Sequence, residues 1–281
     1  FGKLGGRELT ATSDVDLVFV YDVPEGAEKS DGARPISPFR SYTRYAQRLI
    51  SALSSPTAEG VLYEVDMQLR PSGKAGPIAT QYSTFTRYFE KEAWTWEKMA
   101  LTRARIIGGS EDLTAKLQPY IRDVLCQPRE LAAVARDVDD MRQRMAREKG
   151  SDEIWDLKQV RGGLVDLEFI CQFLQLAHGS QIPEALHPNT LQCLRAMTDK
   201  GVLDTALGGA LIEAGEVLHN LTQVTRIAIE GRFDPKDAVE SLRALLARSC
   251  NAPTFADLED RLRESQSRIL AAYDRLIVQA M

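Results

Sequence analysis

The periodicity of apolar residues changes once along this chain, near Ser110. Before this point, short runs rich in β-branched and aromatic residues alternate with turns and helical segments. Beyond it, apolar residues recur every three or four positions, which is the spacing of helices that bury one face. We therefore predict an α+β fold: a small mixed β-sheet lobe with flanking helices over residues 1–115, followed by an all-α helical bundle lobe over residues 116–281.

The first lobe contains segments whose patterns predict particular elements. Residues 63–70 alternate strictly between apolar and polar side chains and are the clearest predicted strand, and residues 16–21 form a second. The apolar spacing over residues 39–53 predicts an amphipathic helix. Another helix is expected to begin after Ser83, and a brief strand is expected over residues 105–107.

Composition excludes several classes of protein. Lysine and arginine number 35 against 40 aspartate and glutamate residues, so the formal net charge is -5 and no global basic field exists to hold nucleic acid. The four cysteines form no CxxC pair, which fits a reducing cytoplasm and neither a zinc knuckle nor a disulfide framework. No apolar run has the length of a membrane span, so no membrane association is expected. Because the chain opens on Phe1, we expect it to be a segment of a longer protein.

Three carboxylates are the main candidates for chemistry. Asp14 and Asp16 stand two residues apart at the start of a predicted strand, and the period of two puts both on one face. A lone Asp-x-Asp is more often an exposed strand end. Here, however, the Gly5-Gly6 pair upstream suits a phosphate-cradling turn, and Asp66 adds a third carboxylate on the polar face of the alternating segment. This arrangement suits two Mg²⁺ ions and nucleotidyl transfer, with Asp66 able to accept the proton of the nucleophile.

A second candidate site lies in the helical lobe. Lys158, Arg161, Gly162 and Gly163 stand just before a helix predicted from Leu164. Free backbone N–H groups, the helix dipole and two cations could bind phosphate or a partner carboxylate there. An ordinary glycine turn between helices explains the same residues equally well.

Other arginine and tryptophan residues of the first lobe have two interpretations each. Arg70 would pair with triphosphate oxygens, or alternatively with a carboxylate of its own strand. Arg103 and Arg105 could reach a nucleotide, although solvated surface arginines are commoner. Trp94 and Trp96 are expected to pack into a core, with stacking on adenine as the alternative.

Several blocks of sequence resemble one family. Gly5-Gly6, Ser13-Asp14-Val15-Asp16-Leu17 and Val65-Asp66-Met67 resemble the signature of the nucleotidyltransferase superfamily that includes DNA polymerase β. Four longer blocks closely resemble glutamine synthetase adenylyltransferase: residues 2–9, 65–73, 92–97 and 162–169. These blocks span most of the first 170 residues.

The resemblance implies a set of site residues and ligands. It implies ATP as substrate and two Mg²⁺ ions. The implied catalytic and metal-binding residues are Asp14, Asp16 and Asp66, and the implied nucleotide-binding residues are Gly5, Gly6, Ser13 and Arg70. It also implies a hydrophobic strand before the glycine segment, and we expect the given sequence to begin after that strand.

The resemblance further implies a protein substrate. The expected reaction is transfer of AMP from ATP to a tyrosine of glutamine synthetase, in the cytoplasm, with a nitrogen-signalling regulatory protein as partner of the full-length enzyme. The amino-acid sequences of residues 70–73 and 93–97 favour the carboxy-terminal, adenylylating half of the family. The alternatives are the deadenylylating half, which releases ADP by phosphorolysis, and a non-catalytic nucleotide-sensing module.

Overall fold

The computed structural model describes residues 1–61 and 63–281. The chain divides into two compact units, residues 1–125 and residues 126–281. The first unit combines short strands with helices, in agreement with an α+β class. Its elements, in chain order, are α1 (Gly2–Gly6), β1 (Val15–Asp16), β2 (Phe19–Tyr21), α2 (Pro38–Ser54), β3 (Val65–Asp66), β4 (Ala79–Gln81), α3 (Tyr82–Lys91), α4 (Thr95–Leu101) and α5 (Glu111–Leu125).

The strands of the first unit form two parallel pairs. β1 pairs with β3, and β2 pairs with β4. The prediction of one mixed sheet is wrong for the described residues. The predicted strand over residues 16–21 is divided because its two ends pair with different partners.

The alternating segment at 63–70 is mostly not a strand. Only Val65 and Asp66 pair in a sheet. The backbone N–H of Gln68 donates to Asp66 Oδ1 at 2.7 Å, a local turn that competes with strand extension. The predicted strand at 105–107 is also absent, since these residues lie outside every strand.

Helix α2 confirms the helical spacing predicted for residues 39–53. Ser37 caps its first turn by accepting from Arg40 N, and Pro38 occupies a first-turn position that needs no N–H donor. The buried side of α2 joins a small core of Tyr21, Ala46 and Ala79. This core fixes α2 on the β2–β4 pair.

The two tryptophans near α4 do not pack into the core as predicted. Trp94 is 72% exposed and Trp96 is 38% exposed. The helix predicted after Ser83 ends at Lys91, and a new helix begins at Thr95, with Trp94 as its N-cap. The break turns the buried face of α4 to Glu97, Met99 and Leu101 instead.

The second unit is helical throughout, as the periodicity predicts, apart from one isolated bridge between Ser151 and Val160. The predicted apolar stripes supply its core, which includes Val138, Phe173 and Leu218. No helix within the described ranges is both long and apolar enough to cross a bilayer. The α-helices of this unit are α6 (Leu131–Lys149), α7 (Leu164–His178), α8 (Thr190–Asp199), α9 (Thr205–Ala228), α10 (Glu240–Ser249) and α11 (Phe255–Leu276).

Candidate functional site

Two of the three predicted carboxylates face each other across the β1–β3 pair. The parallel register aligns Asp16 with Asp66. Adjacent strands lie about 4.8 Å apart, and aligned residues project from the same face. Both residues are half-buried, whereas Asp14, immediately before β1, is exposed. The fold therefore brings two carboxylates together. The third, Asp14, lies two residues before Asp16 in the sequence.

The Asp66 carboxylate is oriented by its neighbour Gln68. Its Oδ1 accepts from the backbone N–H of Gln68 at 2.7 Å, and its Oδ2 accepts from Gln68 Nε2 at 3.2 Å. A carboxylate oxygen has further lone pairs beyond these two bonds. Asp66 is thus held in one orientation while it keeps capacity to accept another donor or ligand.

The glycine segment beside Asp16 is a short helix rather than the predicted turn. Helix α1 ends at Gly6, and its C-cap, Arg7, has left-handed backbone angles (φ 58°, ψ 40°). A Cβ atom on Gly2 would lie 1.9 Å from Asp16 Oδ2, and one on Gly5 would lie 1.8 Å from the carbonyl oxygen of Arg103. Glycine is therefore required at both positions because α1 packs directly against β1 and the 103–105 segment.

Arg103 and Arg105 hold α1 in place. Arg103 forms a buried salt bridge with Glu8 and donates from Nε to the Gly2 carbonyl at 3.1 Å. Arg105 donates to the carbonyls of Leu4 (2.7 Å) and Gly5 (3.1 Å). The expectation of solvated surface arginines is wrong for Arg103, which is buried. Sequence reasoning missed Glu8 because its partner lies 95 residues away.

Ser13 and Arg70 are both engaged in local turns. The buried Ser13 hydroxyl accepts from Thr10 N at 2.9 Å and shares a hydrogen bond with Thr10 Oγ1. The Arg70 guanidinium donates to the carbonyls of Met67, Lys74 and Gly76, in place of either carboxylate considered from the sequence. Ser13 thus shapes the approach to β1, and Arg70 shapes the turn after β3.

The three predicted carboxylates do not form a single cluster. Across residues 1–61 and 63–281, no group of three or more His, Cys, Asp or Glu side chains could hold a metal ion. The reason is that Asp14 lies before β1 and is exposed, so the strand pairing does not bring it to the other two carboxylates. The register pair of Asp16 and Asp66 nevertheless offers oxygen donors, the ligand type that Mg²⁺ takes.

The candidate anion site of the second unit contains an internal carboxylate. Gly162 N donates to Asp166 Oδ2 at 2.5 Å, and Arg161 lies 3.5 Å from Asp166 Oδ1. Arg142, from α6, donates to Asp166 Oδ1 at 2.5 Å, and both side chains are fully buried. Lys158 is exposed and takes no part in this contact.

Two further backbone donors at this helix start also have partners within the chain. Gly163 N and Leu164 N donate to the carbonyls of Val160 and Leu157. The backbone N–H groups and the Arg161 guanidinium, predicted to bind an external anion, therefore bind groups of the chain itself. Sequence reasoning missed Arg142 and Asp166, although each is a charged residue within an apolar helical stripe, which is a usable signal for a buried pair.

Tyr273 of α11 completes this buried group, which we call the Asp166 cluster: Asp139, Arg142, Arg161, Asp166 and Tyr273. The Arg161 guanidinium lies 4.9 Å from the centre of the Tyr273 ring. The Tyr273 hydroxyl donates to Asp139 Oδ1 at 3.2 Å. Burial, with a contribution from Asp139, raises the pKa of Tyr273 well above its usual value.

Comparison with known proteins gives a separate family-model match for each of the two units. Residues 1–119 match the family model of glutamate-ammonia ligase adenylyltransferase, and residues 132–250 match that of GlnD PII-uridylyltransferase. The chain is 45% identical over 276 residues to the bifunctional glutamine synthetase adenylyltransferase/adenylyl-removing enzyme of Rhodopseudomonas palustris strain TIE-1. These matches confirm the resemblance to the glutamine synthetase adenylyltransferase family.

Other relatives give the same result. The enzymes of the same name from Bradyrhizobium sp. strain BTAi1 and Xanthobacter autotrophicus strain Py2 are 46% and 44% identical to this chain. Each alignment covers 98% of this chain but only 28% of the relative. The chain thus spans about 28% of the length of these adenylyltransferase relatives. The first family model coincides with the unit that carries Asp16 and Asp66, and the second lies within the helical unit.

Proposed function

We propose that this chain transfers AMP from ATP to a tyrosine hydroxyl of glutamine synthetase. The observation that carries the proposal is the alignment of Asp16 with Asp66 beside the glycine helix α1. This pair lies within residues 1–119, which match the adenylyltransferase family model. The substrate follows from the relatives, whose names specify glutamine synthetase.

Mg²⁺ is the metal that these residues suit. Asp16 and Asp66, with Asp14 next to them in sequence, would hold it through carboxylate oxygens. When bound, Mg²⁺ supplies positive charge that neutralises the triphosphate and its leaving pyrophosphate. The close approach of Gly2 to Asp16 supports this role, because any larger residue there would displace the carboxylate.

Asp66 is the proposed general base. A tyrosine hydroxyl has an unperturbed pKa of about 10, so it needs a proton acceptor to attack at neutral pH. In the proposed reaction the tyrosine oxygen forms a bond to the α-phosphorus, and the bond from that phosphorus to the bridging oxygen of pyrophosphate breaks. The tyrosine proton passes to Asp66, whose orientation is fixed by the two bonds from Gln68.

The proposed direction is attachment of AMP. It is supported by the amino-acid sequences of residues 70–73 and 93–97, which resemble the adenylylating half of the family. The names of the relatives include both attachment and removal of AMP. In removal, inorganic phosphate would attack the AMP-tyrosine linkage and release ADP.

The helical unit is proposed to help to dock the protein partners. Its match to the PII-uridylyltransferase model supports a role in contact with glutamine synthetase or with a nitrogen-signalling regulator. We propose the cytoplasm as the compartment, because the scattered spacing of the four cysteines, without a CxxC pair, suggests no disulfide framework.

Two parallel assays test the function and its direction. One mixture contains the chain, Mg²⁺, labelled ATP and unmodified glutamine synthetase, and the other contains phosphate and AMP-modified glutamine synthetase. We expect labelled AMP on glutamine synthetase in the first mixture and no ADP from the second. Release of ADP in the second mixture alone would reverse the direction. Retention of nucleotide binding without reaction in either mixture would favour a sensing module.

A further inference from the structure

Helix α2 presents a row of exposed arginines. Arg40, Arg44 and Arg48 stand four residues apart, so they lie along one side of the helix, and all three are exposed. None forms an ion pair with any residue in the described part of the chain. The helix contains no aspartate or glutamate, although the whole chain carries a net charge of -5.

A second row on α2 is apolar and also exposed. Tyr45, Leu49 and Leu53 share the same four-residue spacing, and their exposed fractions are 67%, 38% and 45%. Only Ala46 of this helix is buried. A contiguous apolar row beside a charged row is typical of a protein interaction surface rather than of an ordinary solvated helix. We call these two rows the arginine face of α2.

The helix that carries this face is firmly held. The Tyr42 ring stacks on Tyr21 with their centres 4.4 Å apart, and the Tyr42 hydroxyl donates to the carbonyl of Asp22. Helix α2 packs against β3 and β4, and β3 carries Asp66. A partner bound to the arginine face would therefore be held by the same unit as the candidate catalytic carboxylates.

We propose that the arginine face of α2 docks the protein substrate, glutamine synthetase, through a substrate surface that presents carboxylates beside apolar side chains. This inference rests on the proposed function for the identity of the partner. Charge complementarity specifies its chemistry, because three unpaired guanidinium groups form strong, often bidentate hydrogen bonds with carboxylates. Tyr45 supplies the large amphipathic side chain that often anchors an interface.

A charge-reversal variant tests the docking surface. The chain with Arg40→Glu, Arg44→Glu and Arg48→Glu is compared with wild type for binding to immobilised unmodified glutamine synthetase. We expect the Kd to rise at least about tenfold. Wild-type binding should weaken between about 0.1 M and about 1 M salt, because salt shortens the range of the charge interaction. The variant should show a much smaller salt dependence.

A matched control separates this surface from a general effect of charge. Arg87→Glu, Lys91→Glu and Arg122→Glu change the net charge equally, at exposed positions of α3 and α5. Binding by the control should remain within about twofold of wild type. Equal losses in both variants, or wild-type affinity in the α2 variant, would overturn the proposal, as would a wild-type chain that does not bind glutamine synthetase.

Two further measurements keep the result interpretable. Tyr45→Ala removes one exposed side chain and should weaken binding several-fold with an unchanged circular dichroism spectrum, so the test does not depend on folding of the triple variant.

Sedimentation equilibrium of wild type that shows self-association, abolished by the α2 changes, would identify a second copy as the occupant and overturn the proposal. Binding is measured without turnover, so failure of AMP transfer contradicts the proposed function alone. Where transfer occurs, KM for glutamine synthetase should rise and KM for ATP should not.

Discussion

The two units each contain a carboxylate at a candidate site, and the surroundings of the two carboxylates differ. In the first unit, Asp66 lies across from Asp16 beside α1, is half-buried, and forms no ion pair within the described residues. In the second, Asp166 follows Gly162-Gly163, is fully buried, and contacts Arg142, Arg161 and a backbone N–H. The first carboxylate retains capacity for a ligand, whereas the second is already neutralised by the protein.

This difference shows how a similar local pattern acquires a different role. Glycines near a carboxylate permit close approach of the backbone in both units. What differs is the supply of cations from distant sequence: Arg142 reaches Asp166 from another helix, whereas Arg103 and Arg105 bind Glu8 and helix carbonyls. The distribution of arginines thus distinguishes a candidate reactive site from a structural one.

The largest expected effect is the loss of AMP transfer when Asp66 is replaced. Asp66→Asn should lower the rate of AMP transfer by about 10²–10⁴-fold, because the amide supplies neither a metal-binding charge nor a general base. Its Oδ1 still accepts from Gln68 N, so unfolding free energy should change little. Glu64→Gln, two residues earlier and exposed, is the matched control and should retain activity. Similar rates in both variants would remove Asp66 from the mechanism.

The second prediction concerns the buried carboxylate. Asp166→Asn should destabilise the second unit by about 3–5 kcal/mol, since it leaves the buried Arg142 charge uncompensated. Denaturant unfolding measures this change. Glu168→Gln, on the same helix, should cost less than about 1 kcal/mol. A loss below about 1 kcal/mol for Asp166→Asn would mean that water solvates the Arg142 guanidinium or that another carboxylate compensates its charge.

The glycines give a smaller and more discriminating effect. Gly162→Ala meets a positive φ of 79° and would place Cβ 2.0 Å from the Gln266 carbonyl oxygen, so it should cost about 1–3 kcal/mol of unfolding free energy. Gly5→Ala would displace the Arg103 backbone and shift α1 relative to Asp16. It should therefore lower the transfer rate as well, by about 10²-fold. Stability curves and single-turnover rates on both variants distinguish a structural glycine from one that positions the site.

The smallest expected effect is at Tyr273. Tyr273→Phe loses one hydrogen bond to Asp139 and should cost about 1 kcal/mol at neutral pH. Because burial raises the pKa of Tyr273, the unfolded chain releases this proton first, near pH of about 10, and stability falls as the pH rises further. The Phe variant should show a shallower decline above this pH. An unchanged alkaline profile would show that Tyr273 does not control it.

The sequence predicts local features well and long-range ones poorly. Helix α2 extends only one residue beyond each end of its predicted range, since its spacing and its Ser37-Pro38 start are both local signals. The alternating pattern at 63–70 is compatible with half-buried turns as well as with a strand. Only its Val65–Asp66 part is a strand. The sequence predicts an anion-binding helix start at residues 158–163 and misses its internal carboxylate, Asp166, whose other cation, Arg142, lies 24 residues away. The sequence predicts that Asp14, Asp16 and Asp66 share one metal site, whereas the β1–β3 register aligns only Asp16 with Asp66, and the three form no metal-binding group within the described residues.

The contacts of Arg103 and Arg105 with α1 and Glu8 have a consequence for the order of folding. Arg105 contacts Leu4 across 101 residues of sequence, and Arg103 contacts Glu8 across 95. Contacts of such large sequence separation form late, because the entropy of closing the intervening loop is lost before they contribute stability. Helix α1 has only five residues, too few to be stable in isolation. We therefore expect the candidate site to be assembled last, after α2, α3 and α4 have folded around the strands.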